Sequence, residues 1–373
     1  MGWGASTWLA LVPELGYGVY NVANTGIFYP SLYNSNAFTV RKVPQRQVIR
    51  TADGGNRRKL VTSGRKVFAG ALNTLLHPDQ CASWATAIQP VGQILATGTA
   101  TLSGATVGSA TVNSPGSGYP FTTAIPVSFI GGGGSGAYGT VTSTGTGTIT
   151  GAITITAPGS GYTGVPGVQI GGMPSYTALF WDTVQFWEIT GLCFSTATIT
   201  ASATQDYTTL SLGCIAQERG AISTPTWPAE SVFSTLIPYQ YFETAGNVKL
   251  ATVAITNYRT MSVSLTNVLK PTWDESQYIT SLVYSGRDLN FSLGPQFNAT
   301  AYRTDFEAQT PLTWILNFTR TSPAHSFTIT CETNSYVANI ADDLPLDGPA
   351  YQTLSCEVFY DPANTTDFAI TAS

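Results

Sequence analysis

Charge is the scarcest commodity in this sequence. Asp, Glu, Lys and Arg make up 10% of the 373 residues, against roughly 25% in an ordinary globular chain. So little charge leaves little repulsion between copies, and ordered self-association is expected over life as a free monomer. Histidine is nearly absent: His77 and His325 are the two present. The five cysteines, Cys81, Cys193, Cys214, Cys331 and Cys356, are far apart and form no CxxC pair, which argues against a zinc site. They read as buried thiols of a chain made in a reducing cytoplasm. No run of about 18 apolar residues occurs, so no membrane span or membrane partner is expected. The opening MGWGASTWLALVPELG has no basic stretch before its apolar residues, so no secretory signal is expected. The sequons at Asn298, Asn317 and Asn364 are then chance occurrences.

Catalytic signatures are missing too. There is no GxSxG elbow, no HExxH helix and no P-loop lysine. GGGGSG at Gly131 to Gly136 has the composition of a phosphate cradle, but no GK[ST] follows it. Asp342-Asp343 and Asp347-Gly348 lack the alternate-residue acidic spacing of a calcium loop. Glu218, Asp274 and Glu275 carry carboxylates, but nothing in the sequence pairs two of them for acid–base work. His77 sits at a probable helix start. The reading is a non-enzymatic chain without metal or cofactor. The net charge of −5 argues against general nucleic-acid binding, where a basic domain is expected. It leaves room for a wall that a nucleic acid slides past without sticking.

What is abundant is Thr, Ser, Gly, β-branched residues and aromatics, a strand-and-turn composition. From Gln80 to Trp181 there is no Asp, Glu, Lys, Arg or His, and Gly92 to Gly172 holds 21 of the 37 glycines. This stretch repeats itself. GTATLSGATVGSATVNSPGSGY, Gly98 to Tyr119, matches GTVTSTGTGTITGAITITAPGSGY, Gly139 to Tyr162. Each copy leads to an apolar strand ending in Ile-Gly-Gly, at Ile130 and Ile170. Such a period means paired or stacked supersecondary units. The regular β-branched residues and the lack of charge favour folded strands over a disordered linker. Residues 91–174 are therefore read as an inserted all-β repeat domain, and 1–90 with 175–373 as one discontinuous domain.

Outside the repeats, Lys66 to Leu76 reads as a strand. Pro78 and Asp79 then open a helix through Ala82, Trp84, Ala85 and Ile88, which Pro90 stops. Strands are expected at Tyr176 to Trp181 and Val184 to Thr190 around an Asp182-Thr183 turn, then at Thr196 to Ser202 and Thr208 to Gln217. Further strands are expected at Val248 to Ile255, Met261 to Val268, Asp288 to Leu293, Thr313 to Phe318, Ser326 to Cys331 and Thr353 to Tyr360. About a dozen strands with one clear helix make a mostly β domain of sandwich or barrel type. One segment is basic: Arg41, Lys42, Arg46, Arg50, Arg57, Arg58, Lys59, Arg65 and Lys66 stand against the single acid Asp53. It reads as a long exposed loop between two strands, carrying +8 in a chain that is otherwise −13.

Several of these landmarks resemble the tail tube (major tail) proteins of long-tailed bacteriophages. The strand and helix of RKVFAGALNTLLHPDQCASWATAI resemble that family's second strand and single helix. Tyr176 to Glu218 resembles its next block, through Thr190-Gly191-Leu192-Cys193, Ala197 to Ser202 and Leu212 to Gln217. Gly286-Arg287 and Phe291-Ser292-Leu293 resemble a later strand, with Asn290 where the family has glycine. Leu344-Pro345 followed by Leu354 to Tyr360 fits the last strands. The likeness covers Met1 to about Pro90 and Ser175 to Ser373; the glycine repeats depart from it.

The resemblance implies a β-sandwich with one flanking helix and a long loop, and a virion protein of the tail assembled in the host cytoplasm. It implies hexameric rings stacked into a tube around a tape measure protein, capped by tail terminator and distal tail proteins. Viral DNA would pass the lumen without specific binding. The basic residues Arg41 to Lys66 are expected to contact neighbouring copies, meeting acids such as Asp342, Asp343, Asp347, Asp361 and Asp367. Two other readings stay open: another tail or capsid part (a tail terminator or decoration protein), or a carbohydrate-binding β-protein using Tyr119 and Tyr162 of the repeats.

Overall fold

The computed structural model describes residues 7–20, 27–32, 37–43, 46–50, 58–92, 95–119, 124–222, 234, 236–244, 248–250, 253–255, 257–273, 276–296, 301–343, 350–359 and 367–373. The chain opens with β1 (Trp8–Pro13), β2 (Arg41–Val43), β3 (Arg46–Arg50), β4 (Arg58–Ser63) and β5 (Val67–Leu75). A 3-10 turn, Pro78–Gln80, leads into α1 (Cys81–Ile88). The repeat segment supplies β6 (Thr97–Ser103), β7 (Thr106–Ser114), β8 (Ala124–Ile130), β9 (Ser135–Thr142), β10 (Ala152–Ser160) and β11 (Gly167–Ile170). Then come β12 (Tyr176–Trp181), β13 (Phe186–Ser202), β14 (Thr209–Ala216), β15 (Glu218–Ile222), β16 (Val248–Leu250), β17 (Val253–Ala254), β18 (Tyr258–Thr272) and β19 (Ser281–Pro295). α2 (Ala301–Ala308), β20 (Leu312–Thr321), β21 (Ala324–Asp343), β22 (Tyr351–Val358) and β23 (Phe368–Ala372) complete it.

Alternation drives the body. In β18, Met261, Val263 and Leu265 are buried while Ser262, Ser264 and Thr266 face outward; in β13, Ala197, Ile199 and Ala201 are buried between Thr196, Thr198 and Thr200. A period of two puts one set on each face of the pleat. The strands join in one large sheet, in the order β17-β16-β20-β21-β22-β19-β18-β13-β14-β5-β2. β12 and β15 flank the first half of β13, β1 adds to β12, and β23 adds to β21. Although β13 and β21 are far apart in that order, both lie against α1. The sheet therefore curls over the helix into two layers. One hydrophobic cluster draws on both, joining Trp84, Phe194 and Leu212 to Phe318, Phe327 and Leu354. This is the mostly β, sandwich-type body the sequence implies.

Where expectation and structure part, the causes are local. The strands expected at Val184 to Thr190 and Thr196 to Ser202 are one strand, β13, turned at Gly191 with φ of 64°. Val184 lies in the hairpin turn, because the Asp182 carboxylate accepts the Val184 and Gln185 N–H groups at 3.0 and 2.8 Å. Val248 to Ile255 is two short strands, β16 and β17. Part of the basic segment is strand where a loop was expected: β3 and β4 form their own two-stranded sheet, with Val48 opposite Val61 and Ile49 opposite Leu60. A second helix, α2, follows β19; Tyr302 and Phe306, one turn apart, pack on the core. All five cysteines are buried, and none is in a disulfide.

The repeat segment closes on itself. Its strands form a six-stranded barrel, β10-β7-β6-β11-β8-β9, and none pairs with the large sheet. Its core cluster, including Val107, Val127, Phe129, Val141, Ile149 and Ile153, is separate from that of the body. Tyr119 and Tyr162 lie inside at 2% and 3% exposure. They rest on glycine backbone: a Cβ on Gly92 would come within 2.6 Å of the Tyr119 ring, and one on Gly134 within 2.4 Å of Tyr162.

Candidate functional site

The feature of the body with the clearest consequence is the outer face of its sheet, over β5, β14, β13, β18, β19 and β22. The registers align its side chains in rows. One runs Asn73, Ser211, Thr198, Ser264, Asn290, Glu357; the next runs Leu75, Thr209, Thr200, Ser262, Ser292, Ser355. A third runs Ala71, Gly213, Thr196, Thr266, Asp288. Hydroxyls and amides dominate, the two carboxylates sit at the β19–β22 end, and no Lys or Arg stands on these rows. Neighbours satisfy one another: the Ser211 hydroxyl donates to Asn73 Oδ1 at 2.8 Å, and Thr198 and Ser264 hydroxyls lie 3.3 Å apart. Gly213 is required here, because its N–H donates to Thr196 Oγ1 at 3.0 Å and a Cβ would sit 2.5 Å from that oxygen. Such a surface is wettable but offers a phosphate no cation.

The sequence-derived basic residues fall in three groups. Arg41 and Lys42 are exposed on β2, an edge of the large sheet, opposite Ala69 and Phe68. Charge on an edge strand discourages indiscriminate strand addition. Arg46 and Arg50 lie on β3, Arg58 and Lys59 on β4, and Arg57 falls outside the described residues. Arg65 and Lys66 are already engaged within the chain. Arg65 stacks on Trp273 at 4.4 Å; Lys66 lies 4.1 Å from the Tyr278 ring centre and donates to its hydroxyl at 2.6 Å. They anchor the base of the β3–β4 hairpin to the connection between β18 and β19.

The expected acidic counterparts need correction. Asp367 is used internally: its carboxylate accepts from Arg287 Nε at 2.8 Å and again from Nη2, in a largely buried pair. Asp342 pairs with Arg303 of α2 at 2.6 Å and accepts from Gln352. Asp347 and Asp361 lie outside the described residues, and Asp343 ends β21. Sequence distance hid these pairings, since each ion pair closes between segments remote in the chain.

Two further polar clusters hold parts of the fold to one another. His77 Nδ1 lies 2.8 Å from the Leu236 carbonyl, so it carries the proton, and the nearby Ser234 hydroxyl donates to Asp79 at 2.7 Å. That order ties chain segments together, with the imidazole Nδ1 given to the Leu236 carbonyl instead of the hydroxyl; burial lowers the His77 pKa. Glu14, missed in the sequence, is a knot of the fold. Its carboxylate accepts the N–H groups of Gly18 and Gly191 and the Thr177 hydroxyl at 2.7, 2.8 and 2.8 Å. It borders a cleft of about 1000 Å³ between the body and the barrel, lined also by Tyr17, Phe129, Gly134 and Tyr278. The burial of Tyr119 and Tyr162 removes the aromatic platform on which a carbohydrate reading depended, because their rings fill the barrel core.

Among the described residues, no three or more His, Cys, Asp or Glu side chains cluster to hold a metal, and no helix is long and apolar enough to cross a membrane. The family described as phage tail tube protein matches residues 4–358. The chain belongs to the phage tail tube protein family. The matched span takes in both arms of the sandwich body and the repeat segment between them, so this tail tube chain is a structural component of the phage tail. No curated protein matches it.

Proposed function

We propose that this chain assembles as hexameric rings, stacked into a hollow tube whose lumen is lined by the hydroxyl-rich sheet face. The tape measure protein fills the lumen during assembly, tail terminator and distal tail proteins meet its ends, and DNA leaves through it at ejection. The observation that carries this reading is the face itself: three aligned rows, two across six strands and one across five, with no basic residue. Each Lys or Arg contact to phosphate adds salt-dependent affinity, so a channel lined this way lets a polyanion slide. A closed ring also removes exposed sheet edges, and identical copies related by a rotation axis can close it. Electron microscopy of the purified protein or of virions is the test. Stacked six-fold rings with an open bore are expected; a monomer in the virion, or a capsid position of other symmetry, overturns the reading.

The barrel of residues 91–174 belongs outside the tube, as an outer knob on each copy, because the lumen must stay clear. Its strands pair only with one another, so excising it is expected to leave tubes of unchanged bore without knobs. Tubes lost while the body stays folded would contradict that placement.

The β3–β4 hairpin is the contact between neighbouring copies or rings. Single exposed ion pairs are worth only about 0–1 kcal/mol, but repetition around a ring adds them, and charge complementarity fixes register. Neutralising Arg57, Arg58 and Lys59 together is expected to shorten tubes, as is high salt on the wild type. Tube length against salt is the measurement. Unchanged length in both, with tight DNA binding by the wild type, would instead make the hairpin a nucleic-acid arm.

A further inference from the structure

The barrel carries a two-fold symmetry written in its registers. Ala110 and Ile153 occupy equivalent places in the two repeats, as Pro115 and Pro158 do, and they are paired directly across the β7–β10 seam. A residue opposite its own counterpart marks the axis. On the far side, Ile130 and Ile170 are equivalent, and the β8–β11 seam pairs Ile130 with Gly167 and Val127 with Ile170. Exchanging the repeats turns each of those pairs into the other. The remaining pairings also come in matched sets: β6 with β7 matches β9 with β10, and β6 with β11 matches β9 with β8. Neither repeat closes alone, because the third strand of each lies against the first strand of the other.

We infer that each repeat is a half-barrel whose binding partner is another such repeat, so that the insert is a fused dimer able to pair with the insert of a second copy when its own partner is missing. The two halves have diverged at the axis. Ala110 is small where Ile153 is large, and both are buried. The intrachain pairing fills that space once; two first repeats leave it underfilled. Mixed pairing is therefore preferred over self-pairing.

The barrel strands and core cluster are self-contained, so fragments can be used. Fragment 91–174 is the parent and is expected to be a folded monomer. Fragment 91–132 is expected to sediment as a dimer, and to form a 1:1 complex with fragment 133–174 roughly thirty- to a few-thousand-fold more tightly, the range for a buried Ile facing Ala instead of a second Ala. Directly opposed antiparallel residues have Cα atoms about 4.5–5.5 Å apart, within disulfide reach. Ala110→Cys in fragment 91–132 is thus expected to oxidise to a covalent dimer, whereas Thr101→Cys, away from the axis, is not. Full-length chain carrying Ala110→Cys and Ile153→Cys is expected to close an internal disulfide. A parent that fails to fold, halves that neither self-associate nor complement, or equal crosslinking at 101 and 110 would each overturn the inference. The tube reading is untouched by any of these outcomes.

Discussion

Trp84→Ala is expected to lower the unfolding free energy by about 3–5 kcal/mol, the range for truncating a fully buried Trp. The indole is wholly buried on α1, with its ring edge-on to Phe28 at 5.0 Å and to Phe194 at 5.9 Å. α1 is the wedge between the two layers, touching β13 on one and β21 and β23 on the other. A hole there loosens both layers at once, so ring assembly is expected to fail at temperatures where the wild type forms tubes. Trp84→Phe gives the discriminating control. The indole Nε1 is buried without a hydrogen-bond partner, and an orphaned donor costs about 1–3 kcal/mol. Phe removes that donor while keeping most of the ring, so its loss is expected to be much the smaller. Thermal or urea unfolding of the three proteins checks it; equal losses for Phe and Ala would show that the ring's packing is not what counts.

Glu14→Ala is expected to cost about 2–4 kcal/mol, because it strands the N–H groups of Gly18 and Gly191 and the Thr177 hydroxyl, each a buried or half-buried donor. These three come from the turn after β1, from β12 and from the bend of β13. One carboxylate therefore ties these three segments together. Burial raises the Glu14 pKa above its ordinary 4.5, outweighing the hydrogen bonds that lower it. The folded state thus holds the proton more firmly than the unfolded chain. Its contribution is fully present below the unfolded value and declines as pH rises through the raised folded one. The gap between wild type and Glu14→Ala is accordingly expected to be widest in acid and to narrow toward neutrality. A gap that widens with pH would show that the carboxylate is stabilised as an anion.

Much of this was legible in the residues themselves. The Pro78-Asp79 helix start, the strand Tyr176 to Trp181 and the alternation of β13 and β18 all follow from local rules, as does the repeat between Gly98 and Tyr162. The chain's poverty in charge by itself points to assembly. Local rules act over a turn of helix or a few strand residues, and there they sufficed. What they could not reach was decided by pairing across distance. The axis through Ala110 and Ile153 exists only because β7 meets β10. The hydroxyl rows exist only because five registers align, with Thr198 opposite Ser211 on one side and Ser264 on the other. Asp367, which by composition was one more surface acid, is taken by Arg287 from a strand 80 residues away in the chain. α2 escaped notice because its apolar signal is one pair, Tyr302 and Phe306, too short for a period to show. Composition and periodicity determined that this chain makes strands and tends to self-associate; tertiary contact, which ignores sequence distance, decided which faces and which charges were left for other copies to use.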